Sequence, residues 1–223
     1  MDAKNMITKQ VWKIGDCIEL LRELPDASID LILADPPYGV DLDYGGCYID
    51  TFDNWKLLMN AFIPEAKRVG KLVLLSTSKL EGEAFLFLNY MPLWRVCWYK
   101  GASCTRSAIG FKDWETIFVY GSPKKQTHDF FTAHANSIRE EVIGHPCPKP
   151  LEWALWLIKH FSNEGDTILD PFLGSGTTLR ACRETNRNGI GFELNPAYNE
   201  VIKKRLMSET PSLETWCSEQ DVA

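Results

Sequence analysis

The feature that most constrains this chain is a recurrent pattern: a short apolar stretch ends in an acid, and a segment of helical spacing follows. VWKIGD (11–16), IDLILA (29–34) with its next residue, TILD (167–170) and GIGFE (189–193) close on Asp16, Asp35, Asp170 and Glu193. Short apolar runs bounded by turn signals read as buried strands. Alternation of such strands with helices predicts βαβ units around a parallel sheet. The carboxyl ends of the strands then share one edge, where ligands bind. Four acids on that edge exceed what turn chemistry requires. The expected fold is therefore α/β, a doubly wound, mostly parallel, Rossmann-like sheet.

The remaining segments fit that frame. CIELLREL (17–24) reads as a helix, and residues 39–54 as a long loop whose Gly45 and Gly46 would let it close over a ligand. A helix is expected at 55–68, the strand KLVLLST at 71–77 and a helix near 79–89. WRVCWYK (94–100) and ETIFVYG (115–121) are expected to pair as an antiparallel edge hairpin across a basic loop. Residues 121–148, with Pro123, Gly144, Pro146 and Pro148, read as connection. Leu151, Leu155, Ile158 and Phe161 share a helix face, and TTLRACRET and AYNEVIKKRLMSE read as the closing helices.

Composition limits the function classes. With 223 residues, 45% apolar and 24% charged, residues 1–223 are expected to form one domain with a sizeable core. MDAKNMITKQ lacks the apolar core of a signal peptide, and no apolar run approaches the roughly 20 residues of a membrane helix, so a cytoplasmic protein without a membrane partner is expected. Seven cysteines (17, 47, 97, 104, 147, 182 and 217) form no CxxC pair, and no metal-ligand spacing is present. They are expected to be reduced thiols with no chemistry of their own, and no metal site is expected.

The net charge of −6 argues against a nucleic-acid partner, because phosphate neutralisation needs Lys and Arg. Its distribution softens that objection. Residues 95–139 hold seven basic side chains, Arg139 the last, against three acids, while 208–223 form an acidic tail. Lys100, Arg106, Lys112, Lys124 and Lys125 are the candidates for phosphate contacts, with a solvated surface as the competing reading.

In LDPFLGSGTT (169–178) a strand turns through Gly174 and Gly176 into a helix, so the backbone can approach a ligand closely. Glu193 ends the next strand, where an acid can accept hydrogen bonds from ribose hydroxyls. A helix-capping turn followed by a surface glutamate is the plainer alternative. A nucleotide-phosphate loop is excluded, because GxxxxGK[ST] requires a lysine that this loop lacks.

Taken together, DPPY (35–38), HPCPKP (145–150), DPFLGSGTT (170–178) and GFELNPAY (191–198) resemble the β-class DNA amino-methyltransferases, from about residue 12 to 206. That family methylates exocyclic amines of adenine or cytosine, and DPPY preceding the glycine-rich loop is its circularly permuted order. The resemblance implies S-adenosyl-L-methionine as cofactor, with Asp170, Phe172, Gly174, Ser175, Gly176 and Thr177 around its methionine part. It further implies Glu193 on the ribose, Asp16 and Cys17 by the adenine, and Lys149 and Pro150 closing over the methionine end beside Asp35. Double-stranded DNA is the implied partner. The connection 121–144 is short for a target-recognition region, which leaves room for a homodimer or a separate specificity or restriction partner.

DPPY suits this chemistry on physical grounds. The lone pair of an exocyclic amine is delocalised into the ring, making it a poor nucleophile. Asp35 can accept one of its N–H groups and the Pro36 carbonyl the other, while Pro36 and Pro37 stiffen the turn. Tyr38 offers a face for an extruded base. Aspartate at the head of the motif implies adenine N6 as target. N4-cytosine, RNA, a protein amide and a non-catalytic binding module stay open as alternatives.

Overall fold

The computed structural model describes residues 8–101, 106–134 and 148–207. In chain order its elements are β1 (Gln10–Ile14), α1 (Cys17–Arg22), β2 (Leu31–Ala34), α2 (Phe52–Val69), β3 (Leu72–Thr77), α3 (Leu80–Asn89) and β4 (Trp94–Tyr99). A small hairpin, β5 (Arg106–Ser107) and β6 (Gly110–Phe111), precedes β7 (Trp114–Gly121) and β8 (Phe130–Thr132). Then come α4 (Leu151–Phe161), β9 (Thr167–Asp170), α5 (Thr177–Glu184), β10 (Asn188–Glu193) and α6 (Asn199–Met207).

Eight strands form one sheet in the order β1-β10-β9-β2-β3-β7-β4-β8. The five from β1 to β3 are parallel, and β7 runs against both β3 and β4. All four residues of β2 are fully buried, which requires cover on both faces. Their alternation divides them: Ile32 and Ala34 join the core under α1, α2 and α3, Leu31 and Leu33 the core under α4 and α5. The sheet is thus doubly wound, as its sequence pattern predicts. In α2 the side chains Trp55, Met59, Phe62, Ile63, Ala66 and Val69 are buried. Each large one contributes about 1.5–3 kcal/mol by leaving water, and Trp55→Ala would cost about 3–5 kcal/mol.

Three details differ from the sequence expectations. α2 starts at Phe52, because Thr51 Oγ1 caps it by accepting from Asn54 N at 3.3 Å. The connection 121–148 contains β8, which pairs in parallel with β4. β4 and β7 do pair antiparallel, but β8 lies outside them, so that pair is not the sheet edge. The loop before α2 is pinned at its root: the buried Asp50 carboxylate accepts from Gly39 N (2.7 Å), Val40 N (3.2 Å) and Leu42 N (3.1 Å). Arg139, His145 and the acidic tail 208–223 lie outside the described residues.

Candidate active site

The carboxyl ends of β1, β2, β9 and β10 meet at a cavity of about 510 Å³, which Asp16, Asp35, Asp170 and Glu193 all line. Its volume falls within the roughly 300–1,000 Å³ of small-molecule sites. All four DPPY residues line it, together with Cys17, Lys149, Phe172, Gly174, Ser175 and Thr177. Pro150 and Gly176 do not; they hold the N-caps of α4 and α5 behind the wall.

One lobe is built around backbone dipoles. Glu193 Oε2 accepts from Gly174 N at 2.7 Å and its Oε1 from Asn195 N at 2.8 Å, tying the glycine loop to the end of β10. This glutamate is buried rather than on the surface, and burial raises its pKa. Asp170 Oδ1 accepts from Phe172 N at 3.0 Å and Oδ2 from Thr178 Oγ1 at 2.5 Å. With neutral donors only, burial dominates, and its carboxyl is pushed up to about 7. Gly174 (φ +53°) and Gly176 (φ +86°) take left-handed backbone, which lets the loop fold tightly before α5. Asp16 caps α1, its Oδ1 accepting from Ile18 N (2.8 Å) and Glu19 N (3.1 Å), so it serves the helix and faces the cavity at once. Burial pushes the Cys17 thiol up to about 12, which keeps it protonated at neutral pH.

The other lobe is a charged cluster. Tyr38 OH donates to Asp35 Oδ1 at 2.5 Å, and Lys149 Nζ lies 3.0 Å from the same oxygen and 2.9 Å from the Tyr38 hydroxyl. The Lys149 ammonium also stands 4.9 Å from the Tyr38 ring centroid and 5.5 Å from that of Trp98. Glu115 completes the group, with Oε2 3.7 Å from Lys149 Nζ and Oε1 accepting from Lys100 Nζ at 3.0 Å. Burial pushes the Asp35 carboxyl upward against the pull of Lys149 and Tyr38. Burial acts on Glu115 too, yet Lys149 and Lys100 outweigh it and hold that carboxyl below its ordinary value.

Glu115 escapes the sequence pattern for a geometric reason. In parallel strands the acid ends the apolar run, but β7 is inverted, so the acid that begins its run reaches the same edge. Lys149 lies beside Asp35, as expected, and its ammonium also reaches Tyr38 and Glu115.

The basic candidates separate. Lys100, at 4% exposure, is held by Glu115 and cannot meet a phosphate. Lys124 is paired with Asp30 and Asp166, residues that precede β2 and β9, so it lies at the amino edge away from the cavity. Lys125 donates to the Lys159 and Ser162 carbonyls at the end of α4, on that same far edge. Lys112 is close: its Nζ donates to Ser78 Oγ at 2.9 Å, and Ser78 lines the cavity. The backbone of Arg106 belongs to β5; its side chain lies outside the described residues.

Comparison with known proteins agrees with this geometry. Residues 98–204 match the DNA methylase family model for N6 and N4 methylation. Type II methyltransferase M.HpaI of Haemophilus parainfluenzae is 29% identical over 232 residues, covering 87% of this chain and 73% of that protein. Among solved structures, PvuII DNA methyltransferase (cytosine-N4-specific) matches with TM-score 0.70 and 16% identity, over 96% of this chain and 92% of its own. A complex of M1.HpyAVI with SAM matches with TM-score 0.66 and 22% identity, over 90% of this chain and 100% of its own. DPPY and the glycine loop meet at one cavity, and the chain is similar to the N6/N4 DNA methyltransferases in the sequence of its C-terminal half, along most of its length to M.HpaI, and in fold.

Proposed function

We propose that this chain transfers a methyl group from S-adenosylmethionine to the exocyclic N6 amine of adenine in double-stranded DNA, with the target base turned out of the helix. The observation that carries the reading is that Asp35 and the Asp170–Glu193 lobe line one cavity. The donor set fits the cofactor: anionic groups suit its cationic end and ribose hydroxyls, while Cys17, Phe172 and Leu58 supply apolar wall. Bound there, the cofactor supplies an electrophilic methyl group. Asp16, Asp170, Gly174, Ser175 and Glu193 would hold it, and Glu193 remains the acid for the ribose.

The residues of the chain act on the amine. Tyr38 and Lys149 engage Asp35 Oδ1, which leaves Oδ2 to accept an N–H of the amine while the Pro36 carbonyl takes the other. Two acceptors on one nitrogen draw its lone pair out of the ring and aim it, and the transfer then depends mainly on positioning. The nitrogen afterwards sheds a proton, and Asp35 Oδ2, whose burial favours protonation, is the acceptor in reach. The cations Lys149 and Lys100 keep the buried Glu115 and the half-buried Asp35 carboxylates compatible before that step.

Mass spectrometry of nucleosides from DNA of expressing cells tests the reading. N6-methyladenine supports it, whereas N4-methylcytosine moves the target to cytosine. The absence of both, with methyl transfer instead to RNA or to protein, removes DNA as substrate.

A further inference from the structure

The hairpin β5–β6 carries an apolar side chain that the fold does not use. Arg106 pairs with Phe111 and Ser107 with Gly110, so a two-residue turn, Ala108–Ile109, forms its apex. Ile109 is 98% exposed, the most exposed of the large apolar side chains described, and Phe111 and Trp114 are also exposed. Single exposed apolar residues are ordinary, but Ile109 and Phe111 on one hairpin, with Trp114 at the start of β7 close behind them in sequence, mark a contact surface.

The projection is rooted at the mouth of the cavity. Lys112, which follows β6, donates to Ser78 on the cavity wall, and Lys100 N donates to the Asp113 carbonyl at 2.7 Å. Two residues further on, Glu115 lines the cavity itself. From Arg106 to Lys112 the segment has two basic residues and no acid, in a protein of net charge −6. A two-residue turn with an apolar tip, in a segment whose sequence holds two basic residues and no acid, suits one occupant: a base stack between two phosphate strands.

Resting on the methylation reading above, we propose that Ile109 enters the duplex beside the target and fills the gap that the extruded base leaves. Extrusion breaks stacking on both sides of the base, and an apolar side chain between the separated steps offsets that loss.

The test uses the full chain and a duplex bearing its own modified sequence, located by single-molecule sequencing of DNA from expressing cells. A second duplex carries a mismatch at the target, so the base is already loosened. Ile109→Ala is expected to lower kcat/KM on the matched duplex roughly tenfold, to leave the mismatched duplex within about twofold, and to be largely rescued by Ile109→Leu. Ile109 is fully exposed, so the variant keeps the fold, which circular dichroism verifies. An unchanged matched rate, or an equal loss on both duplexes, overturns the proposal. So does light scattering that shows Ile109→Ala turning a dimer into a monomer, since the tip then serves a second copy of this chain. Wild-type protein that methylates no DNA defeats the methylation reading itself, an outcome distinct from active wild type with an indifferent tip.

Discussion

Asp35 and Asp170 follow or end adjacent parallel strands, β2 and β9, and both line the same cavity, yet their surroundings differ. Asp170 is held by an amide and a hydroxyl, neutral donors that tie it into the loop and leave it the proton affinity of a buried acid. Asp35 stands in a network of two lysines, a tyrosine and a second carboxylate, and keeps 21% of its side chain exposed. One carboxylate is tied into a wall by neutral donors, and the other stands partly exposed in a charged cluster on the same cavity. Identity and strand position are shared; the charges around each decide its use.

Paired substitutions test that contrast. The largest effect is expected for Asp35→Ala: turnover falls about 10²–10³-fold or more, while cofactor affinity by calorimetry stays within about threefold. Loss of cofactor binding in that variant would erase the distinction between the lobes. Glu193→Ala should do the reverse and weaken cofactor binding about 10–100-fold, because the proposed ribose acceptor is removed and the glycine loop is untied. Glu115→Gln is expected to lower kcat about tenfold and stability by about 3 kcal/mol, since it leaves Lys100 buried without its anion. The Glu115 charge raises the Asp35 carboxyl, so the acid limb of the kcat profile should move to lower pH in this variant. A purely structural role would leave that limb in place.

The Asp170 lobe has its own pH signature. Its folded pKa, about 7, lies above the ordinary 3.8, so folding favours the protonated form. Its contribution to stability is full below about pH 3.8 and is lost as pH rises through 7. Asp170→Asn cannot ionise and should flatten that decline, read as a smaller drop in Tm between pH 5 and pH 8, where each kcal/mol corresponds to roughly 2–4 °C. The smallest effect is expected for Lys124→Ala, whose exposed ion pairs sit on the far edge: DNA binding by fluorescence anisotropy should change less than about twofold.

What the sequence could and could not reveal follows from strand direction. Asp16, Asp35, Asp170 and Glu193 were legible because a parallel strand places its last residues at the ligand edge. Glu115 was hidden because β7 is inverted, and the pairing of β7 with β3 across α3 and β4 is a tertiary outcome. The lysines divide for a related reason. A cluster in sequence, 95 to 125, is carried by β7 from one edge of the sheet to the other, so Lys112 and Lys124 end on opposite sides of the molecule. The hairpin and β8 are too short for any periodicity to register.

The strand order also sets a timetable. β2 is seated between β3 and β9, and its partner Ile168 lies more than 130 residues beyond Leu31. At roughly 5–20 residues per second, a ribosome needs about 7–27 s between them. Throughout that interval one side of an entirely apolar strand has no neighbour, an open template for another chain. Assembly of the sheet centre is therefore a late event joined over a long loop, and slow translation or scarce chaperones should lower the yield of native protein before any step of its chemistry is affected.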